Sequence, residues 1–207
     1  MRKPTQERAR QRVADILAAT ADLISEGGVE AVTTTDVAEK AGVPVGSIYQ
    51  YFEDANDILR TVQGSYAEEL VAACHEVLDS LPPGTDWQTA TRLSFDTYWK
   101  ELLKRPVYVA LLRDATRTQS FADSMGFGGT NDGGGESDIG ALFLRSLEVG
   151  GATLPAEKAG AVTHTVLGSL SALTDLAMLI DDEATRETRR QEMLRMIELY
   201  LSDTLKA

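Results

Sequence analysis

Cysteine and histidine are almost absent from this chain of 207 residues, which contains one cysteine and two histidines. The single cysteine, Cys74, excludes an intramolecular disulfide, and this fits a reducing compartment. No signal peptide is expected because the N-terminus is charged and lacks an apolar segment. Cys74 and His75 point in different directions on a helix, and no paired Cys or His motif accompanies them or His164. We therefore predict a cytoplasmic protein with no metal site and no cofactor.

Positive charge is also scarce, and the formal net charge is −12. A nucleic-acid-binding domain is usually basic, and an acidic body disfavours non-specific association with DNA. Residues 1–12 are a local exception, because they hold Arg2, Lys3, Arg8, Arg10 and Arg12 against only Glu7. Such an arm can reach a phosphate or a minor groove. The alternative is a solvated, frayed terminus.

Long apolar runs and strand patterns are missing as well. The segment 161–180 has the length of a membrane span, but His164, Asp175 and several Ser and Thr residues interrupt it, which favours a buried helix. We find neither the alternation of a strand nor an internal repeat. Acidic residues such as Asp114 lack a recognisable acid–base partner. The pattern therefore predicts an all-α protein that is not an enzyme.

Two short helices separated by a glycine turn are predicted between residues 33 and 52. Thr33 stands at an N-cap position and Asp36 follows three residues later, a variant of the capping box. Gly42 ends the first helix because glycine enters the left-handed conformation without steric cost. Pro44 or Val45 begins the second helix, which we predict to run to Phe52. This arrangement is a helix-turn-helix, which lays its second helix in the DNA major groove.

The second helix is expected to bury Ile48 and Phe52 and to present its other side chains to DNA. Gln50 can bond an adenine edge, and Tyr and Thr hydroxyls commonly bond phosphate oxygens. The missing side chain of Gly46 lets the backbone approach a phosphate. The predicted DNA-binding residues are Thr33, Thr35, Val45, Gly46, Ser47, Tyr49, Gln50 and Tyr51. The alternative is a pair of core helices with no role in DNA binding.

Together these residues resemble the TetR family of transcriptional regulators. The matching residues are Thr33, Asp36-Val37-Ala38, Ala41-Gly42-Val43, Gly46-Ser47-Ile48-Tyr49 and Tyr51-Phe52. The resemblance implies an N-terminal three-helix DNA-binding domain, placed at residues 1–53. It also implies a C-terminal helical domain, placed at residues 54–207, that binds a small molecule and forms a homodimer.

Two positions depart from the family pattern. The family often has a serine at the start of the recognition helix, where this chain has Pro44. The family often has a phosphate-binding lysine where this chain has Ala55, which lies amid Glu53, Asp54 and Asp57. Asp54 is predicted to cap the following helix instead.

The remainder of the chain is predicted to be helical, apart from one glycine-rich segment. Helices are expected over residues 6–26, 54–80, 86–104, 136–149, 155–180 and 183–205, with another beginning near Pro106. Residues 126–135, GFGGTNDGGG, contain six glycines and are predicted to be a mobile loop. A phosphate-binding loop is the alternative, but the Gly-Lys-Ser/Thr ending and the preceding strand are missing.

The predicted helix 155–180 is apolar nearly all round, which requires burial on two sides, and the last predicted helix, 183–205, adds Leu194, Ile197, Tyr200 and Leu201. A four-helix bundle with a second copy would supply that burial, and two internal core helices are the alternative. Mixed aromatic, methionine and hydroxyl side chains suit a mainly apolar ligand. The predicted lining residues are Tyr66, Phe95, Trp99, Tyr108, Leu112, Phe121, Met125, Phe143, His164, Leu167 and Met178, although each of them is equally consistent with plain core.

The sequence thus predicts a regulator that binds double-stranded operator DNA, most simply a repressor released by a small-molecule effector. The alternative is an all-helical binding or carrier protein whose helix-turn-helix no longer functions, because Ala55 and the nearby acids weaken one expected DNA contact.

Overall fold

The computed structural model describes residues 3–118 and 135–206. Over these residues the chain contains nine α-helices, one short 3₁₀ turn (Val29–Ala31) and no strand, so the predicted all-α fold class is confirmed there. The helices are α1 (Lys3–Gly27), α2 (Thr34–Lys40), α3 (Val45–Ile48), α4 (Ala55–Asp79), α5 (Trp87–Leu103), α6 (Pro106–Thr118), α7 (Gly135–Val149), α8 (Ala159–Met178) and α9 (Glu183–Thr204). None of the helices in the described part is long and apolar enough to cross a membrane.

The chain divides into two compact units. The first joins Met1–Tyr66 to Arg105–Asp114, and the second joins Ala67–Lys104 to Ala115–Ala207. Helices α4 and α6 therefore each contribute residues to both units. The predicted domain boundary between residues 53 and 54 remains a prediction.

Most helix ends agree with the predicted ones, and aspartate side chains cap the start of two helices in the second unit. The Asp86 carboxylate accepts the Thr89 N–H at 2.8 Å at the start of α5. The Asp182 carboxylate accepts the Thr185 N–H at 2.8 Å at the start of α9. Each carboxylate satisfies one of the backbone donors that a helix leaves unpaired in its first turn.

Two predicted helix starts in the second unit were wrong. Helix α8 begins at Ala159 rather than Pro155, because the N–H groups of Lys158 and Ala159 both donate to the Pro155 carbonyl at 2.9 Å and form a turn first. Gly135, assigned to the glycine-rich loop, is the first residue of α7. The rest of that loop, residues 126–134, lies outside the described residues, as do Phe121 and Met125.

The first unit has its own apolar core beneath the helix-turn-helix. Ile16 of α1, Val37 of α2, Ile48 of α3 and Ile58 of α4 are fully buried in it. Phe52 is also buried, so the predicted inward orientation of Ile48 and Phe52 is confirmed. Helix α6 adds Val107 and Leu111 to the same cluster.

Two core clusters lie among the described residues of the second unit. One joins α4, α5 and α7 through Val71, Cys74, Leu78, Ala90 and Leu142. The other joins α7, α8 and α9 through Phe143, Leu147, Val162, Val166, Ile197 and Leu201, with Leu154 from the segment between α7 and α8.

Cys74 is a structural side chain within this core. Its thiol donates to the Ser94 carbonyl with a sulfur–oxygen distance of 3.3 Å, and burial raises the pKa of Cys74 to about 11. The thiol therefore stays protonated at neutral pH and is a poor nucleophile.

Gly150, which directly follows α7, lies against the backbone at the start of α5. A Cβ atom at this position would lie 2.1 Å from Trp87 Cα and 2.3 Å from Trp87 N, at the start of α5. Both contacts are to backbone, so no side-chain rotation relieves them. Only glycine fits here without a shift of one helix.

Gly150→Ala is expected to lower the free energy of unfolding by about 1–3 kcal/mol or more, because the added methyl group overpacks a backbone contact. Gly160→Ala is the matched control, since a Cβ at that exposed position in α8 meets nothing within 4 Å. The control is expected to be neutral or slightly stabilising. Urea unfolding followed by circular dichroism checks both variants, and equal midpoints for the two would contradict the close approach.

Asp175 is a partly buried carboxyl group on α8, and its burial raises the pKa of Asp175 to about 6. The folded-state pKa therefore lies above the ordinary value of 3.8. The protonated Asp175 therefore contributes to the free energy of unfolding. This contribution is fully present below about pH 4 and is lost as the pH rises through 6, because the folded chain must then ionise a desolvated carboxyl group.

Asp175→Asn is expected to stabilise the fold at pH 7.5 by on the order of 1–3 kcal/mol and to stabilise it by much less at pH 4.5. The exposed Asp203 supplies the control substitution, Asp203→Asn, which removes a carboxylate that is not desolvated. Thermal unfolding at the two pH values measures the difference. A stabilisation that is the same at both pH values would contradict the assignment.

Candidate nucleic-acid interface

The first helix of the helix-turn-helix begins with the predicted cap. Thr33 has the extended backbone of an N-cap, with φ −122° and ψ 157°, and its hydroxyl oxygen accepts the Asp36 N–H at 3.1 Å. The Thr33 hydroxyl in turn donates to the Asp36 carboxylate. The Thr33 side chain is therefore engaged in fixing where α2 starts.

The turn between the two helices is a Schellman motif. Gly42 has φ 65°, the Gly42 N–H donates to the Glu39 carbonyl at 3.1 Å, and the Val43 N–H donates to the Ala38 carbonyl at 2.9 Å. These bonds satisfy carbonyls that the end of α2 leaves unpaired. Pro44 then stands as the extended residue before α3.

The second helix is shorter than predicted. Regular α-helix covers only Val45–Ile48, and the next three residues continue as turns. The Tyr51 and Phe52 N–H groups both donate to the Ile48 carbonyl at 3.0 Å. These two bonds form a turn that ends the segment. Gly46 and the run of aromatic side chains have low helix propensity, which accounts for the early end of the regular helix.

Seven of the eight predicted DNA-binding residues are exposed and one, Ser47, is half-buried. The exposed ones are Thr33, Thr35, Val45, Gly46, Tyr49, Gln50 and Tyr51. Tyr49 is exposed over 58% of its surface, and a Cβ on Gly46 would meet nothing within 4 Å. We call these eight residues the α2–α3 surface. Their roles in DNA binding remain predictions.

One contact of this surface was missed by the sequence reasoning. The Thr34 Oγ1 and Tyr49 hydroxyl oxygens lie 3.2 Å apart, which joins the first residue of α2 to the end of α3. The run Thr33-Thr34-Thr35 was the available signal, but only the turn brings residues 34 and 49 together.

Several charged side chains of the first unit are paired with one another. Lys40 donates to the Glu26 carboxylate at 2.6 Å, and this hydrogen bond raises the pKa of Lys40. Arg60 lies 3.3 Å from the Asp57 carboxylate. By contrast, exposed arginines line the start of α1, namely Arg8, Arg10 and Arg12. Arg2, which was predicted to extend this arm, lies outside the described residues, and the side chain of Lys3 is not described.

The acidic residues around Ala55 have a structural role. The Asp54 carboxylate accepts the Asp57 N–H at 2.8 Å, so the predicted cap of α4 is confirmed. The Asp57 carboxylate accepts the Glu53 N–H at 3.0 Å. These carboxylates therefore hold the start of α4, where the family often has a lysine.

The predicted ligand-lining residues lie in both units. Tyr66, Tyr108 and Leu112 belong to the first unit, where the Tyr66 and Tyr108 ring centroids are 6.0 Å apart. In the second unit, the Phe95 and Trp99 ring centroids are 6.0 Å apart. Phe143 and Leu167 both belong to the core cluster of α7, α8 and α9. His164 is exposed on α8 and Met178 is fully buried. A ligand-binding role for these residues remains a prediction.

Apolar side chains are exposed on α8 and α9 and at Leu179, which directly follows α8. They are Leu176, Leu179, Met196, Leu199 and Tyr200, and Leu199 is exposed over 63% of its surface.

Residues 3–118 and 135–206 contain no group of three or more His, Cys, Asp or Glu side chains that could hold a metal ion.

The chain is similar to known regulators. The family model described as "Bacterial regulatory proteins, tetR family" matches residues 16–62, which include α2, α3 and the turn between them. The HTH-type transcriptional repressor KstR of Mycolicibacterium smegmatis is 32% identical over 146 residues, which cover 70% of this chain and 67% of KstR. The HTH-type transcriptional regulator BetI of Klebsiella pneumoniae is 34% identical over 70 residues, 34% of this chain and 36% of BetI.

Solved structures share the fold. A TetR-family transcriptional regulator from Streptomyces coelicolor matches with a TM-score of 0.62 and 23% identity, over 94% of this chain and 99% of that one. RolR in complex with its ligand resorcinol matches with a TM-score of 0.62 and 20% identity, over 92% of this chain and 89% of RolR. The similarity to KstR extends well beyond the helix-turn-helix. The chain therefore belongs to the TetR family of bacterial regulatory proteins and is a DNA-binding transcriptional regulator.

Proposed function

We propose that this regulator is a homodimeric repressor, acting in the cytoplasm, that a small-molecule effector releases from its operator. The proposal that this chain reads its operator through the helix-turn-helix rests on one observation, the division of side chains there into buried and exposed ones. Ile48 and Phe52 are buried, whereas Tyr49, Gln50 and Tyr51 from the same segment are exposed. KstR is named a repressor, which supports the direction of regulation.

Each protomer is proposed to place the segment from Val45 to Tyr51 in a major groove. Gln50 has the donor and acceptor geometry to read an adenine, and the open space over Gly46 lets the backbone approach a phosphate. Hydroxyl groups of Thr35 and Tyr49 are suited to bond phosphate oxygens. The exposed arginines at the start of α1 add the positive charge that the α2–α3 surface lacks.

Dimerisation is proposed to use α8 and α9, because exposed leucine, methionine and tyrosine side chains on these helices gain from burial against a second copy. A two-fold dimer presents two recognition segments. It would read two half-sites about one helical turn, roughly 34–36 Å, apart.

The effector is proposed to be mainly apolar with a few polar groups. The interior of the second unit combines aromatic side chains with buried hydroxyls, among them the Thr91 and Ser146 hydroxyls, whose oxygens lie 3.2 Å apart. The bound resorcinol of RolR is an aromatic ligand that carries hydroxyl groups. An effector changes DNA binding only as far as it prefers one of two arrangements of the protomer. Helix α4 is the proposed lever, since it contributes residues to both units.

The family membership argues against the alternative raised by the sequence, a carrier protein without DNA binding. The pairing of Lys40 with Glu26 and of Arg60 with Asp57 reduces the positive charge that these two side chains offer to DNA. The two candidates differ in one measurable property: the carrier binds its ligand and ignores DNA.

Gln50→Ala is expected to change the operator preference, with a loss of roughly 5- to 150-fold in discrimination at one base pair, because a bidentate contact to an adenine is removed. Equilibrium binding to the selected operator and to single-base variants measures the change.

Gln88→Ala is the control, because Gln88 is an exposed glutamine on α5, in the second unit. It should bind DNA like the unmodified chain, and both variants should keep the same oligomeric state. An unchanged base preference for Gln50→Ala would contradict the proposed role of Gln50, and ligand binding without any DNA binding would favour the carrier.

A further inference from the structure

The hydrogen bond between Thr34 and Tyr49 joins two parts of the helix-turn-helix that are far apart in sequence. Tyr49 is the C-cap residue of α3, and its hydroxyl reaches back to the first residue of α2. The ring is largely exposed, so little apolar packing is available to fix its rotamer. The bond to Thr34 gives this exposed ring a fixed polar contact.

The three consecutive threonines of the α2 start differ in what their hydroxyls do. The Thr33 hydroxyl donates to the Asp36 carboxylate and accepts the Asp36 N–H, so its hydrogen is already used in the cap. The Thr34 hydroxyl pairs with Tyr49. Thr35 is exposed and remains directed to the surface.

A pair of hydroxyl groups that share one hydrogen bond still has one hydrogen to donate elsewhere, since each hydroxyl carries one donor and two acceptor positions. When Thr34 donates to the Tyr49 oxygen, the Tyr49 O–H is left to donate to a phosphate oxygen of duplex DNA. The same bond orders the ring before binding, which reduces the entropy that must be lost on docking.

We propose that Thr34 is a positioning residue for DNA recognition: its hydroxyl holds the Tyr49 phenol in the orientation from which Tyr49 donates to a DNA phosphate. This inference rests on the proposed function of the α2–α3 surface. It assigns to Thr34 no base contact of its own, so its effect on DNA affinity passes through Tyr49.

A double-mutant cycle tests this dependence. The variants are Thr34→Val, which keeps the shape but removes the hydroxyl, Tyr49→Phe, and the two combined. Operator affinity at fixed salt is measured by fluorescence anisotropy, with thermal unfolding as a check on the fold. Each single variant is expected to weaken binding roughly 3- to 10-fold, the size of one hydrogen bond. The combined variant should bind no more weakly than Tyr49→Phe, and Thr34→Ser should restore affinity to within about twofold because it restores the hydroxyl.

Thr35→Val is the matched control, since Thr35 is the exposed neighbour of Thr34 on the same helix. Its loss in affinity is expected to add to that of Tyr49→Phe, because independent contacts are additive. An additive loss for Thr34→Val and Tyr49→Phe, or no loss for Thr34→Val, would overturn the positioning role.

A second measurement separates this inference from the proposed function. In protein labelled with 3-fluorotyrosine, the ¹⁹F resonance that disappears in Tyr49→Phe is assigned to Tyr49. The inference expects this resonance to shift in Thr34→Val and to return in Thr34→Ser without DNA present. An unshifted resonance would overturn the pairing itself. A shifted resonance in a chain that selects no DNA sequence would keep the pairing and overturn both the positioning role and the proposed function.

Discussion

The burial of Ile48 is the constraint on which the recognition surface depends. Ile48 is completely enclosed by the core of the first unit, together with Val37 of α2 and Ile16 of α1. Because α3 is one turn long, a single buried anchor decides the direction of every other side chain on it. Tyr49 and Gln50, which follow Ile48, are exposed for this reason. The Schellman turn at Gly42 determines where α3 starts and therefore where Ile48 lies.

The net charge of the chain, −12, is unusual for a protein that binds DNA. The acids near the start of α4 cap that helix, and Lys40 and Arg60 are held by acidic partners. DNA affinity is therefore expected to come from hydroxyl, amide and backbone groups of the α2–α3 surface, supported by the arginines of α1. Such a protein gains little from long-range attraction to phosphate, so its affinity should depend on exact fit.

Much of the fold could be predicted from the sequence because local signals determine it. Thr33 and Asp54 cap helices through contacts to residues three positions away, which the sequence pattern predicted. The extent of α3 was wrong because aromatic residues with low helix propensity follow Ile48.

The Thr34–Tyr49 bond could not be predicted, since it joins residues that only the folded turn brings together. The ligand-lining residues were equally hard to select. The same aromatic and aliphatic side chains that line a cavity also fill an ordinary core, and Phe143, Leu167 and Met178 are as well explained by packing.

Selection from a random-sequence duplex library with the purified full chain tests the central claim most directly. The account predicts enrichment of an inverted repeat whose two half-sites are centred about one helical turn apart, roughly 34–36 Å. It also predicts that the enriched duplex outcompetes random DNA as the salt concentration rises. A folded, dimeric chain that enriches no sequence at low salt would contradict the claim that the α2–α3 surface reads DNA.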